Sequence, residues 1–494
     1  MLWRAWVHIS PLHVDLYHRL LPMNKVYGAV AIDLIVACLF WTGVFWLLRR
    51  FDPDGHSLWW VLIAAILGFS VGKLIMVEGI QLAHLDVPLA GLVFLAACCF
   101  AAAVALWLWN RSWYRKAVRW FRGGLALMGV CIVWMLPQLV YMAVRPEPHD
   151  VQKFVRAVSP APAPQRRVVW ILFDELSQDQ VFDHRQPGLS LPQLDHFRSQ
   201  SVLFSDVQPA GYYTEDVVPS LLWGKIITGI RSDLSGNLFV KTSDRWQRFP
   251  ASQSIFADAQ RDGWSTGVAG WYNQYCRTYG PSLDWCAWVG SFGIPGNYSP
   301  EKSLWWNVNA PLLLAETGLT DRKNPVPATA EMQAAEYSDL MQWSHKLIDD
   351  ENIGFVFLHL PLPHPPGFYN RKTGQLGVVG SYLDNVALTD RSLGQLMEWI
   401  SQTSLASKTT VIVCSDHSWR VPLWRIEPGW TKEDQEASRG KFDPHPFLMV
   451  HFPLETTPET VAEPFPAIRE HALVESLLHQ PMSARELKAW AGKQ

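Results

Sequence analysis

A chain of 494 residues is too long for one hydrophobic core, so two or more structural units are expected. The formal net charge of −3 and the lack of a basic tract exclude the electrostatic footprint of a nucleic-acid binder. Apolar residues concentrate in the first ~145 positions, which points to a membrane unit followed by a water-soluble one.

Residues 1–24 mix Arg4, His8, His13, Asp15, His18 and Arg19 with aromatics, a composition that suits a short interfacial helix. Four apolar runs follow, at about 27–48, 59–77, 87–109 and 124–144, each near the ~20 residues that cross hydrocarbon. Arg49 and Arg50 close the first run. Arg111, Arg115, Lys116, Arg119 and Arg122 fill the link between the third and fourth, whereas the 78–86 loop has neither Lys nor Arg. Positively charged loops stay in the cytoplasm, so the N-terminus and everything after about residue 145 are expected outside it. Cys38, Cys98, Cys99 and Cys131 lie within the apolar runs and read as packing residues. The proline-rich segment 158–167 reads as a semi-rigid linker to the soluble domain.

The soluble half is organised by apolar runs that end in polar residues. Val168–Phe173 reads as a strand buried on both faces, and it runs straight into Asp174 and Glu175. Ligands in parallel sheets gather at the carboxyl ends of strands, where carboxylate oxygens can hold a divalent cation. A helix over Leu191–Phe197 and a short strand at Val202–Phe204 come next. Thr214 is expected in a loop, just before a helix whose first turn suits Pro219. A hydroxyl there can be polarised by a metal, beside backbone N–H groups able to hold an anion. A helix at Gln253–Arg261 leads through a Gly turn to a strand toward Gly270. Cys276 and Cys286 bracket a polar stretch, and they either pair in an oxidising compartment or stay separate thiols. Glu331–Asp349 has amphipathic helical spacing.

A second buried strand begins at Ile353 and ends in a proline-stiffened loop carrying His364, with His359 inside the strand as a core histidine. A long helix over Tyr382–Thr403 leads to a third strand, 409–414, buried Cys414 at its end, followed by Ser415, Asp416 and His417. Asp-His at a strand end suits zinc or manganese. His445–His451 reads as an outer strand with His445 at its entry.

In order and spacing, Phe173-Asp174-Glu175, Leu191–Asp195, Thr214 with Pro219–Leu222, Ser415–His417 and the His445-Pro-Phe strand resemble the alkaline phosphatase/sulfatase superfamily. The nearest resemblance is to its membrane-anchored phosphoethanolamine and phosphoglycerol (lipoteichoic acid synthase-like) transferases. The resemblance implies a membrane helical bundle over 1–145, a linker over 146–166, and an α/β sandwich with a mostly parallel central sheet over 167–494. It further implies Thr214 as nucleophile, a metal held by Asp174, Glu175, Thr214, Asp416 and His417, and His364 and His445 facing the substrate. Asp174 matches the sulfatase version of the motif, since Gly or Ser precedes the Glu in the transferases. The metal is expected to be zinc, with manganese or magnesium as alternatives. Implied partners are a phospholipid donor and a lipid or glycan acceptor, in a multi-pass protein of the bacterial inner membrane. The Cys/Ser-x-Pro-x-Arg motif of sulfatases is absent, which speaks against sulfate ester hydrolysis. Val217 replaces the usual Ser of the nucleophile helix, and Glu215 and Asp216 add negative charge beside an anionic substrate. The alternatives are a phosphodiesterase or phosphatase of the same superfamily, or a non-catalytic relative acting as a scaffold in envelope polysaccharide export.

Overall fold

The computed structural model describes residues 23–63, 89–144, 153–156, 164–232, 237–243, 245–290, 303, 326–455 and 457–492. The described residues up to 144, together with 303, fall in one compact unit, and 153–290 with 326–492 in a second. Most of the 59–77 run, the 78–86 loop, the interfacial segment 1–22 and most of the linker lie outside the described residues.

The first unit holds α1 (Met23–Phe51), α2 (Leu89–Trp109) and α3 (Arg111–Val144). The basic link expected between the third and fourth runs is not a loop: α3 takes it up as its first turns. Residues Tyr27–Phe51 and Arg111–Val144 are long and apolar enough to cross a membrane. Leu39, Phe40, Leu127, Val133 and Trp134 on these helices are exposed. At one end Gly28 of α1 approaches Ala143 of α3. At the other, Arg122 lies 4.0 Å over the Trp60 ring, Trp107 donates to the His56 carbonyl at 2.6 Å and Tyr114 to that of Ser57 at 2.8 Å. The segment after Arg49 and Arg50 therefore meets the basic start of α3 at one end of this unit. Cys38 is half-buried and Cys98 exposed, so Cys98 does not pack inside the unit as the sequence suggested.

The second unit is built on a nine-stranded mixed sheet. In chain order its strands are β1 (Lys153–Val155), β2 (Arg167–Phe173), β3 (Ser201–Phe204), β4 (Thr266–Trp271), β5 (Trp285–Val289), β6 (Phe355–Leu360), β7 (Thr409–Cys414), β8 (Leu448–His451) and β9 (Glu459–Val461). Across the sheet they lie in the order β1-β5-β4-β6-β2-β7-β8-β3-β9. The central strands β5, β4, β6, β2 and β7 are mutually parallel, so their carboxyl ends share one edge. β8 is antiparallel to both β7 and β3. It is an interior strand, not the outer one expected, because β3 and β9 extend the sheet beyond it.

Every residue of β2 is buried, as its unbroken apolar run demands. Val168, Trp170 and Leu172 enter one core, with α5 (Thr214–Trp223) and α6 (Ile255–Arg261). Val169, Ile171 and Phe173 enter the other, with α4 (Pro192–Arg198), α7 (Val326–Asp349) and α8 (Tyr382–Gln402). A capping box of Ser381 and Asp384 starts α8. Cys276 and Cys286 are joined in a disulfide, their Cα atoms 5.6 Å apart.

α5 begins five residues earlier than expected. Asp216 and Val217 already donate to the Tyr213 carbonyl, so Thr214 is the first helical residue and Pro219 sits inside the helix. Gly224 ends it in the left-handed region (φ 74°), a conformation that glycine adopts without steric cost.

Candidate active site

β2 and β7 lie side by side with Leu172 opposite Cys414, so the residues that leave them are neighbours. Asp174, Glu175 and His417 each offer one ligand atom, all within 4.8 Å of one another, and all three residues are buried. Asp416 completes the group. Its Oδ1 accepts from the backbone N–H of Glu175 at 3.2 Å and of His417 at 2.9 Å, and its Oδ2 lies 3.1 Å from His417 Nε2. Thr214 faces this group from the first turn of α5. Its Oγ1 donates to Asp174 Oδ2 at 3.2 Å and lies 3.1 Å from His417 Nε2.

Glu175 has φ 67°, a strained backbone conformation for a residue with a side chain. Two neighbours hold it there. Its N–H is bound by Asp416, and its carbonyl accepts from the Tyr382 hydroxyl at 2.7 Å.

His417 Nδ1 lies 3.2 Å from the Ser418 carbonyl, which can only accept. Nδ1 therefore keeps its hydrogen, and Nε2, facing Thr214, is the atom that gains or loses a proton or binds an ion. Burial lowers the His417 pKa, but the charge of Asp416 overrides it and the net shift is upward. Burial raises the Asp416 pKa, while the charge of His417 beside it lowers it by more, so the net lies below the ordinary carboxylate range.

The donor set fits a divalent cation on one side and is engaged on the other. Among the described residues Asp174 Oδ1 and Asp416 Oδ2 are buried without a hydrogen bond, Asp416 Oδ2 having only the ion-pair approach of His417. Buried carboxylate oxygens are rarely left bare, and such hard donors suit a cation. Glu175 is already engaged: Arg420 Nε pairs with its Oε1, and Trp424 Nε1 lies 2.9 and 2.8 Å from its two oxygens. An ion that uses Glu175 must share it with Arg420. Neither Arg420 nor Trp424 was singled out from the sequence. The only signal was position, since both follow the Asp416-His417 pair within one short segment.

The other expected residues are placed as follows. The His364 ring packs 5.0 Å from Trp271 and 4.9 Å from Trp424, and burial lowers its pKa. Its Nδ1 is buried without a partner. His445 is not brought to the triad: its Nδ1 lies 2.5 Å from Asp443 and its Nε2 3.3 Å from Asp206. His359 is fully buried, as a core histidine should be, yet it is not satisfied. Its Nδ1 meets the Tyr275 hydroxyl at 2.7 Å, while its Nε2 has no hydrogen bond and lies 3.5 Å from Asp174 Oδ2. Gly270 makes room for this, because a Cβ there would run into the Tyr275 ring. The charges beside Thr214 are moderated. Glu215 accepts from the Tyr272 hydroxyl at 2.8 Å, and burial, with Glu215 adding to it, raises the Asp216 pKa to about 6.

Fold and site together define an α/β protein whose carboxylates and one imidazole close around a single hydroxyl at the carboxyl edge of the sheet. The chain belongs to the sulfatase family, whose model matches residues 166–440, more than half of its length. It thereby joins the alkaline phosphatase/sulfatase superfamily, whose members are hydrolases or phosphotransferases that use divalent metals. No curated protein matches it. Among solved structures it is similar to a phosphonate monoester hydrolase from Silicibacter pomeroyi, at 15% identity and TM-score 0.41 over 64% of this chain and 74% of that one. It is also similar to the phosphonate monoester hydrolase of Agrobacterium radiobacter, at 13% and 0.40 over 64% and 74%. The lipoteichoic acid synthase LtaP from Listeria monocytogenes is similar at 12% and 0.40 over 64% and 72%.

Proposed function

We propose that this protein is a membrane-anchored, metal-dependent phosphotransferase. It moves a phosphoethanolamine- or phosphoglycerol-type headgroup from a phospholipid to an envelope lipid or glycan. The observation that carries the reading is Thr214 Oγ1, 3.2 Å from Asp174 Oδ2 and 3.1 Å from His417 Nε2, at the start of a helix. Thr214 Oγ1 attacks phosphorus, and the bond from phosphorus to the diacylglycerol oxygen breaks. The proton leaving Oγ1 has Asp174 Oδ2 as its acceptor and ends on that diacylglycerol oxygen. The acceptor hydroxyl then displaces Thr214 from phosphorus and returns a proton to Oγ1. Backbone N–H groups at the start of α5 face the phosphoryl oxygens. Asp174, Glu175, Asp416, His417 and Thr214 hold the divalent ion, zinc in this reading, which lowers the hydroxyl pKa and neutralises phosphoryl charge. His364 lies on the substrate side.

The anchor supports a donor that lies in the bilayer plane. In this reading residues 1–145 form a multi-pass inner-membrane unit and 146–166 a linker. Residues 167–494 form an extracytoplasmic catalytic domain. The shared end of the two basic segments in the first unit suits that topology.

Headgroup-labelled phosphatidylethanolamine and phosphatidylglycerol, offered to purified protein, test the reaction. Label should appear on Thr214 in the intact protein, and Thr214→Ala should lower turnover on the order of 1,000-fold or more. Unchanged turnover in that variant overturns the nucleophile assignment. The engagement of Glu175 by Arg420 and Trp424 favours one second reading, a non-catalytic relative acting as a scaffold. Failure of the purified protein to bind zinc, manganese or magnesium would decide for it.

A further inference from the structure

Behind Trp424 lies a cavity of about 170 Å³ that the reaction above does not use. Its walls include Tyr382, Trp419, Trp424, Trp430, Glu427 and Pro366. Trp424 also touches Glu175 and His364, so the cavity shares a wall with the site.

Two features of the wall point to a ligand. Trp419 is only 2% exposed, yet its indole N–H has no hydrogen-bond partner among the described residues, which is costly unless something accepts from it. Glu427 is exposed, and its carboxylate accepts no hydrogen bond among the described residues. The walls thus hold one unpaired donor, one unpaired acceptor and aromatic surface, the composition of a small-molecule subsite. Size narrows the choice, since an enclosed cavity of about 150 Å³ holds a benzene. This one takes a single six-membered ring.

We propose that the cavity is a subsite for one uncharged sugar ring of a glycan acceptor, a choice that rests on the phosphotransfer reading given above. A pyranose has an apolar face for Trp430 and hydroxyls that both accept from Trp419 and donate to Glu427. An anionic sugar would meet the Glu427 carboxylate. An ammonium headgroup fits less well. An ammonium cage needs open ring faces. Here Trp419 is stacked with Tyr382 at 4.1 Å and with Trp430 at 5.3 Å, and the Arg420 guanidinium lies 5.7 Å over Trp424, so the outer face of Trp430 is left, enough for one sugar ring but not for a cage of several rings. Trp430 itself is held by an indole N–H bond to Gln435 at 3.2 Å.

Isothermal titration calorimetry on the full chain in detergent tests this, with glucose and N-acetylglucosamine tetrasaccharides as probes and choline and ethanolamine as counter-probes. A saccharide should bind saturably. Trp430→Ala should weaken it at least tenfold, Trp430→Phe should restore most of the affinity, and Glu427→Gln should weaken it severalfold. An unchanged unfolding midpoint in Trp430→Ala shows that the loss is local. Heat from choline with none from any saccharide overturns the assignment, as does silence from all probes or undiminished binding by Trp430→Ala. Saccharide binding that depends on Trp430, in a protein that never labels Thr214, keeps the subsite and removes the phosphotransfer reading. Transfer to lipid without saccharide binding does the reverse.

Discussion

The two ends of β2 treat buried charge in opposite ways. At the entry, Arg167 is 1% exposed and each of its three guanidinium nitrogens donates to a backbone carbonyl, Nε to Ile353 at 3.0 Å, Nη1 to Ile348 at 2.7 Å and Nη2 to Asp350 at 2.6 Å. At the exit, Asp174 is as deeply buried, and its Oδ1 has no partner. One strand therefore carries a completed polar network at one end and an incomplete one at the other. Incomplete networks are costly to keep, and folded proteins retain such costs chiefly at functional sites.

The contrast can be broken most directly at the entry. Arg167→Met leaves three carbonyls without their donor, and unfolding free energy should fall by about 3–5 kcal/mol in chemical denaturation, the range for breaking a buried charged network. A loss below about 1 kcal/mol would mean that the entry network contributes little and that the comparison fails.

Glu470 supplies a third case, beside Cys414, which lies opposite Leu172 near the exit. Its carboxylate is buried against the Cys414 thiol with no partner in hydrogen-bond geometry, and burial raises its pKa from 4.5 to about 8. The folded state thus binds a proton that the unfolded state has lost. The stability Glu470 contributes is whole below pH 4.5 and is lost as pH rises through about 8. Across that window unfolding free energy should fall by up to about 1.4 kcal/mol per pH unit. Glu470→Gln should flatten the profile, and an equally steep variant would reject the assignment.

The smallest effect on stability is expected at the exit. Asp174→Asn should leave the metal-free unfolding midpoint unchanged or raise it by up to about 1 kcal/mol equivalent, while zinc binding weakens at least tenfold. Marked destabilisation without change in metal affinity would make Asp174 a structural residue like Arg167.

Much of this was legible in the chain. The run 168–173 is continuously apolar, and 353–360 and 409–414 are apolar apart from His359 and the two opening threonines, so all three read as buried strands whose polar ends meet at one edge. Thr214 and Pro219 were misplaced because a Pro is favoured in a first turn, while here the Tyr213 carbonyl had already opened the helix. The polar meander of Gly229–Ser232, Leu238–Thr242 and Arg245–Arg248 escaped notice because its side chains lack the alternation of a half-buried sheet. Arg420 and Trp424 were missed for a different reason. Their partnership with Glu175 spans about 245 residues and follows no periodic pattern.

Tyr382 ties these parts together. Its backbone N–H is bound by Asp434 at 2.7 Å, its hydroxyl grips the carbonyl of Glu175, and its ring is stacked on Trp419. Evolution is therefore not free to remodel the inner cavity wall by changing this tyrosine, because any replacement also releases the strained peptide at Glu175. Under the saccharide reading, variation in specificity falls to the outer rim, at Trp430 and Glu427, whose side chains make no hydrogen bond to Glu175 among the described residues.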